Sequence, residues 1–169
     1  YQSVSAFALN PAFLPNNWST NFDEVGFADY LKQPPHWLED YALFMAIRES
    51  QQHATWVSWP HGLKHREPAV LTEFTENHAL ELLALKKQQF ALKMLWAKLK
   101  QDANEKGITL FGDMPIFVAF DSADVWANPE QFKLDENLNP TVVTGVPPDY
   151  FSETGQRWGN PHYNWDVML

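Results

Sequence analysis

"KGITLFGDMP", residues 106–115, is the stretch whose reading decides the fold. A helix-like pattern ends at Lys106, and Gly107 sits where a C-terminal cap belongs. Residues 108–111 are a short, apolar, β-prone run, closed by Gly112 and Asp113. Helix, glycine, buried strand and then a polar residue is the pattern of an α/β unit. Asp113 then falls at the carboxyl end of the expected strand, where polar side chains of α/β folds face an active-site mouth. The competing reading is a turn aspartate bonded to its own backbone.

Upstream, Leu82, Leu85, Leu92, Trp96 and Leu99 recur in steps of three, four or seven, with Gln89 in the one matching slot that is not apolar. This predicts a core-facing helix over about 69–106. "HWLEDYALFMAIRES" (36–50) predicts another, with Trp37, Leu38, Tyr41, Phe44, Met45 and Arg48 at helical spacing. A proline-punctuated loop separates the two. Prolines in "NPAFLP" and "QPP" make residues 1–35 read as irregular or short-strand structure. Downstream, "DSADVW" reads as a helix start capped by Asp121 or Ser122, and "NPEQF" as a second start at Asn128 and Pro129.

The chain has 169 residues, enough for one domain or a piece of a larger one. Its net charge of −9 repels phosphate, which argues against nucleic acid and anionic membrane as partners. There is no cysteine, which removes disulfides and thiolate metal sites and agrees with a cytoplasmic setting. No apolar run approaches the roughly 18 residues of a membrane span. The first residue is Tyr1, with no signal-peptide pattern after it, so the chain reads as an internal piece of a longer protein.

Aromatic residues reach 15%. They concentrate in "GVPPDYFSETGQRWGNPHYNW" (145–165), which holds five rings, three prolines and three glycines and shows neither helical nor strand periodicity. One reading is a loop packed over the core by its own rings. The other is a sugar-binding loop, with Asp149, Glu153, Gln156, Arg157 and Asn160 supplying hydrogen bonds beside flat apolar faces. Asp121 and Asp124 read either as helix caps or as a paired-carboxylate site. His61 and His65 are four apart, but Gly62 lies between them and the metalloprotease pattern is missing, so no metal site is assigned. No phosphate loop or nucleophile elbow occurs, and no cofactor is implied.

"GDMPIFVAFDSADVWANPEQF" followed by "VVTGVPPDYFSETGQRWGNPHYNW" closely resembles the 4-α-glucanotransferases, the amylomaltases or disproportionating enzymes of glycoside hydrolase family 77. "YQSVSAFALNP", "WLEDYALFMAI", "TWVSWP" and "QFALKMLWAKLKQDANEKGI" resemble the same family. The fold this implies is α/β: a partial (β/α)8 TIM barrel, not closed, with an inserted helical subdomain and a long aromatic loop. The implied parts are an irregular segment at 1–35, a helical insertion at 36–106, and a barrel strand plus active-site loop region at 107–169. The implied reaction moves α-1,4-glucan segments between maltooligosaccharides with retention, using two carboxylates. The family carries those carboxylates in motifs such as "RIDHFRG", which are absent here. The resemblance therefore implies no catalytic residue in this chain, and no activity for it alone. It implies glucan contacts at Tyr1, Asp113, Gln156 and Trp158, and a loop tip over the cleft formed by Asp149, Tyr150 and Phe151.

Two features depart from the family pattern. Leu9 stands where glycine usually precedes "NP", and 11–35 is short and lacks the usual strand-and-helix segment. Two other functions are compatible with the same residues: a non-catalytic carbohydrate-binding module and a protein-interaction domain.

Overall fold

The computed structural model describes residues 10–20 and 22–168. Within the N-terminal segment expected to be irregular it places a helix, α1 (Glu24–Lys32). Asp23 caps it, accepting from the Gly26 N–H at 2.8 Å. Phe27 and Tyr30, one turn apart, bury against the Phe90 ring at 5.7 and 5.3 Å. Pro15, Pro34 and Pro35 bracket this helix, so proline spacing alone misjudged the segment.

Helix α2 (Leu38–Ser50) forms as its spacing predicts. Glu39 and Asp40 lie in its first turn and Arg48 in its last, each matched to the helix dipole. It buries Leu38, Ala42, Phe44, Ala46 and Ile47. The short α3 (His61–Lys64) forms inside the stretch expected to be loop. The helix predicted over 69–106 forms in two pieces, α4 (Pro68–Asn77) and α5 (Ala79–Glu105), broken at His78. Pro68 opens α4 at a position where no N–H is needed. Gly107, at φ 73°, ends α5. The Ile108 N–H reaches the Ala103 carbonyl at 2.9 Å and the Gly107 N–H the Asn104 carbonyl at 2.9 Å, a Schellman cap.

The stripe on α5 is only half used. Leu82, Gln89, Phe90 and Leu92 are buried, whereas Trp96 and Leu99 are exposed. Gln89 donates to the Tyr41 hydroxyl at 3.2 Å, which explains a polar side chain in an apolar slot.

After α5 the expectation fails. Residues 108–111 form no strand and are not buried; Ile108, Leu110 and Phe111 stand in water, Phe111 wholly so. A strand needs a partner for its N–H and C=O groups, and no described strand lies beside this run. The short α6 (Ala123–Ala127) is capped by Ser122, not Asp121. "NPEQF" gives a single 3-10 turn, Pro129–Gln131.

The sheet among the described residues is one antiparallel pair, β1 (Val143–Val146) and β2 (Gln156–Pro161). The aromatic stretch read as aperiodic is thus mostly a β-hairpin. Its pairs are Val143↔Pro161, Gly145↔Arg157 and Val146↔Gln156. Between the first two pairs β1 advances two residues and β2 four, and this irregularity hides the strand period from the sequence. A last turn, α7 (Trp165–Met168), follows the hairpin.

The core lies between α2, α6 and the loop bearing Trp56 and Trp59. Trp126 is its centre: fully buried, edge-on to Trp59 at 5.7 Å, near Phe44 at 5.9 Å, with its ring N–H on the Leu63 carbonyl at 3.0 Å. The Arg66 guanidinium lies over the same ring at 4.2 Å and reaches Asp40 at 2.6 Å.

Candidate functional site: an exposed aromatic hairpin

The hairpin presents its rings to water. Tyr150 is 97% and Phe151 88% exposed, and the two meet edge to face at 5.7 Å. Both project into water, each ring against the other. Trp158 is half exposed on β2, its indole N–H on Gln156 Oε1 at 3.0 Å. Residues two apart share a strand face, so this bond sets an amide and an indole side by side. The packing reading of the aromatic loop is not met at its tip. It is met at its end, where Tyr163 is buried and bridges Phe132. Burial raises the Tyr163 hydroxyl pKa, and the buried Asp124 carboxylate adds to this.

Asp149 turns its carboxylate back on the chain, accepting from the Phe151 and Ser152 N–H groups at 2.9 and 2.8 Å. Asp113 stands exposed in the extended segment after Gly112. Tyr1 and Leu9 lie outside the described residues. Asn160, one of the side chains expected to hydrogen-bond a sugar, instead ties β2 to the segment that follows Asp113. Its Nδ2 donates to the Val118 carbonyl at 2.8 Å, five residues beyond Asp113, and its Oδ1 accepts from the buried Thr144 hydroxyl at 3.3 Å. An Asn-Pro pair reads locally as a turn, and the partners of this clamp lie too far along the chain for a local pattern to show them.

The other candidates are structural. Asp121 accepts from the Trp56 N–H at 3.1 Å and pairs with Arg48 at 3.2 Å. Asp124 is fully buried. His61 meets Glu67 at 2.9 Å, and its ring lies 4.3 Å from that of His65. No group of three metal-ligating side chains occurs among the described residues. Nor is any described helix long and apolar enough to cross a membrane. Two grooves lie away from the hairpin. One, of about 470 Å³, lies between α2 and α5 beside His78; the other, of about 200 Å³, is lined by Trp18, Phe22 and Met94.

Exposed rings, an indole and an amide thus stand together on a mixed helix-and-sheet scaffold. The chain belongs to the 4-alpha-glucanotransferase family, glycoside hydrolase family 77, whose model matches residues 15–169. It is 52% identical over 146 residues to the 4-alpha-glucanotransferase of Thermus thermophilus, covering 86% of this chain and 29% of that protein. It is 47% identical over 132 residues to the chloroplastic/amyloplastic enzyme of Solanum tuberosum, covering 78% and 23%. The amylomaltase from Streptococcus agalactiae in complex with acarbose matches it with a TM-score of 0.78 and 39% identity, over 84% of this chain and 29% of that one. The chain therefore spans less than a third of the length of these relatives.

Proposed function

We propose that the protein acts as a 4-α-glucanotransferase, moving α-1,4-glucan segments between maltooligosaccharides by a retaining mechanism. Such a mechanism needs one carboxylate as nucleophile and another as acid/base. The 169 residues contain no motif of the "RIDHFRG" kind, so their part is to hold and cover the glucan, and alone they are inactive. Tyr150 and Phe151 form the covering tip. Gln156 and Trp158 contact the sugar beyond the scissile bond, and Asp113 and Tyr1 the sugar at it. A cover that excludes water favours transfer over hydrolysis.

The observation that carries this reading is the tip: two large rings in water on a tied hairpin, inside the segment matched by the family. The fold proposed is part of a (β/α)8 barrel with the helices of 36–106 inserted. The uncovered apolar side chains along 108–116 support it, since soluble proteins seldom leave such a run bare. The charge of −9 supports a neutral ligand rather than nucleic acid or membrane, and the lack of cysteine suits the cytoplasm.

Titration with maltoheptaose, followed by tryptophan fluorescence, tests the binding. Saturable quenching is expected, weakened roughly several-fold by Tyr150→Ala, because one stacked ring contributes on the order of 1 kcal/mol. Maltotriose incubated with host-enzyme-free protein should yield neither longer oligosaccharides nor glucose. Absence of binding overturns the proposal, and turnover by these residues alone overturns their assignment as a binding part that lacks the reacting carboxylates.

A further inference from the structure

The hairpin tip is bound to itself. Asp149 Oδ1 accepts twice, from the Phe151 N–H at 2.9 Å and the Ser152 N–H at 2.8 Å. The Asp149 N–H donates to the Ser152 carbonyl at 2.9 Å. The Ser152 hydroxyl donates to the Gly155 carbonyl at 2.8 Å, and the Gly155 N–H returns to the Ser152 carbonyl at 3.2 Å. Gly155 has φ 75°, and a Cβ there would lie 2.6 Å from the Val146 carbonyl, so no other residue closes the turn in this form. Pro147 and Pro148 fix φ on the entering side. Tyr150 and Phe151 have little packing to hold them at their exposure, so the turn fixes where they point.

We infer that Asp149 is a positioning residue: its carboxylate builds the turn that presents Tyr150 and Phe151 to a glucan, with Ser152 as its partner. This rests on the glucan reading above, but replaces sugar contact by Asp149 with action through the two rings. A tip already ordered binds more tightly, because the ordering does not have to accompany binding. Asparagine keeps the Oδ1 acceptor and loses the charge, whereas alanine loses both.

Amide exchange by NMR and maltoheptaose titration, on the whole chain and its Asp149→Asn, Asp149→Ala and Ser152→Ala variants, test it. Asp149→Ala should speed exchange at Phe151 and Ser152 by about tenfold and weaken binding by about three- to tenfold. Asp149→Asn should stay within about twofold of the parent in both. Ser152→Ala should shift both in the direction of Asp149→Ala, by less. Exchange unchanged in Asp149→Ala overturns the inference. So does Asp149→Asn binding as weakly as Asp149→Ala with its turn amides still protected, since that marks a direct charged contact. A parent chain that binds no maltoheptaose sinks the glucan reading instead, and with it the presenting role, while the exchange data still decide whether Asp149 builds the turn.

Discussion

Two clusters of aromatic side chains, the Trp126 core and the Tyr150 tip, obey opposite rules. In the core Trp56, Trp59 and Trp126 are buried, and each ring N–H is tied to backbone, at Phe120, Ala54 and Leu63. At the tip the rings are exposed, and the hydrogen bonds run through the backbone beneath them. In the first case side chains organise the chain; in the second the chain organises side chains. Rings in the first should therefore govern stability, and rings in the second should govern binding.

Trp126→Ala should give the largest effect. It removes a wholly buried indole that Phe44, Trp59 and Arg66 all contact, and leaves the Leu63 carbonyl only the longer bond from the Arg66 N–H, at 3.4 Å. Truncations of this kind cost about 3–5 kcal/mol. Tyr150→Ala and Phe151→Ala should stay within about 0.5 kcal/mol. Urea unfolding of the three variants reads the contrast, and equal losses in core and tip would abolish it.

How far the sequence showed this contrast depends on where the determining contacts lie. Helix α2 and the cap at Gly107 were legible because their signals are local: apolar spacing, dipole-matched ends, one glycine. The buried strand that the apolar run 108–111 predicts does not form, because pairing is a property of neighbours and the described residues supply none. α1 is masked by Pro15, Pro34 and Pro35, which bar a helix only near their own positions and leave the span capped by Asp23 free to form one. Tyr150 and Phe151 are exposed, against the reading of a loop packed by its own rings, whereas Asn160, expected to meet a sugar, bonds within the chain to partners 16 and 42 residues away.

Asn160 lets the contrast be sharpened at the boundary between the clusters. Asn160→Leu removes the donor to Val118 and the acceptor for the Thr144 hydroxyl, leaving buried polar groups at a cost of about 1–2 kcal/mol. The loss should be local. Amide exchange should quicken in β1, β2 and 116–120, while α2 holds its protection. If α2 opens in step, hairpin and core are one cooperative unit and the division fails.

The smallest effect concerns the edge of the core at α3, where the Leu63 carbonyl that receives Trp126 lies between His61 and His65. Lost hydration lowers the His65 pKa from its ordinary 6.5, and the positive charges of His61 and Lys64 lower it further, against a weaker pull upward from Glu67. A histidine whose folded pKa lies below its unfolded one takes up fewer protons when folded, so stability is full above pH 6.5 and declines as pH falls through the lowered value. Because the ring is exposed, the decline should be slight. Urea unfolding at about pH 7.5 and pH 5.5 should show it in the parent chain and a smaller difference in His65→Gln. Exchange at the tip amides of Phe151 and Ser152, corrected for the intrinsic pH dependence of exchange, should not respond, since no imidazole belongs to that turn. A tip that loosens along with α3 would show that acid acts on the whole molecule and not on the core's edge.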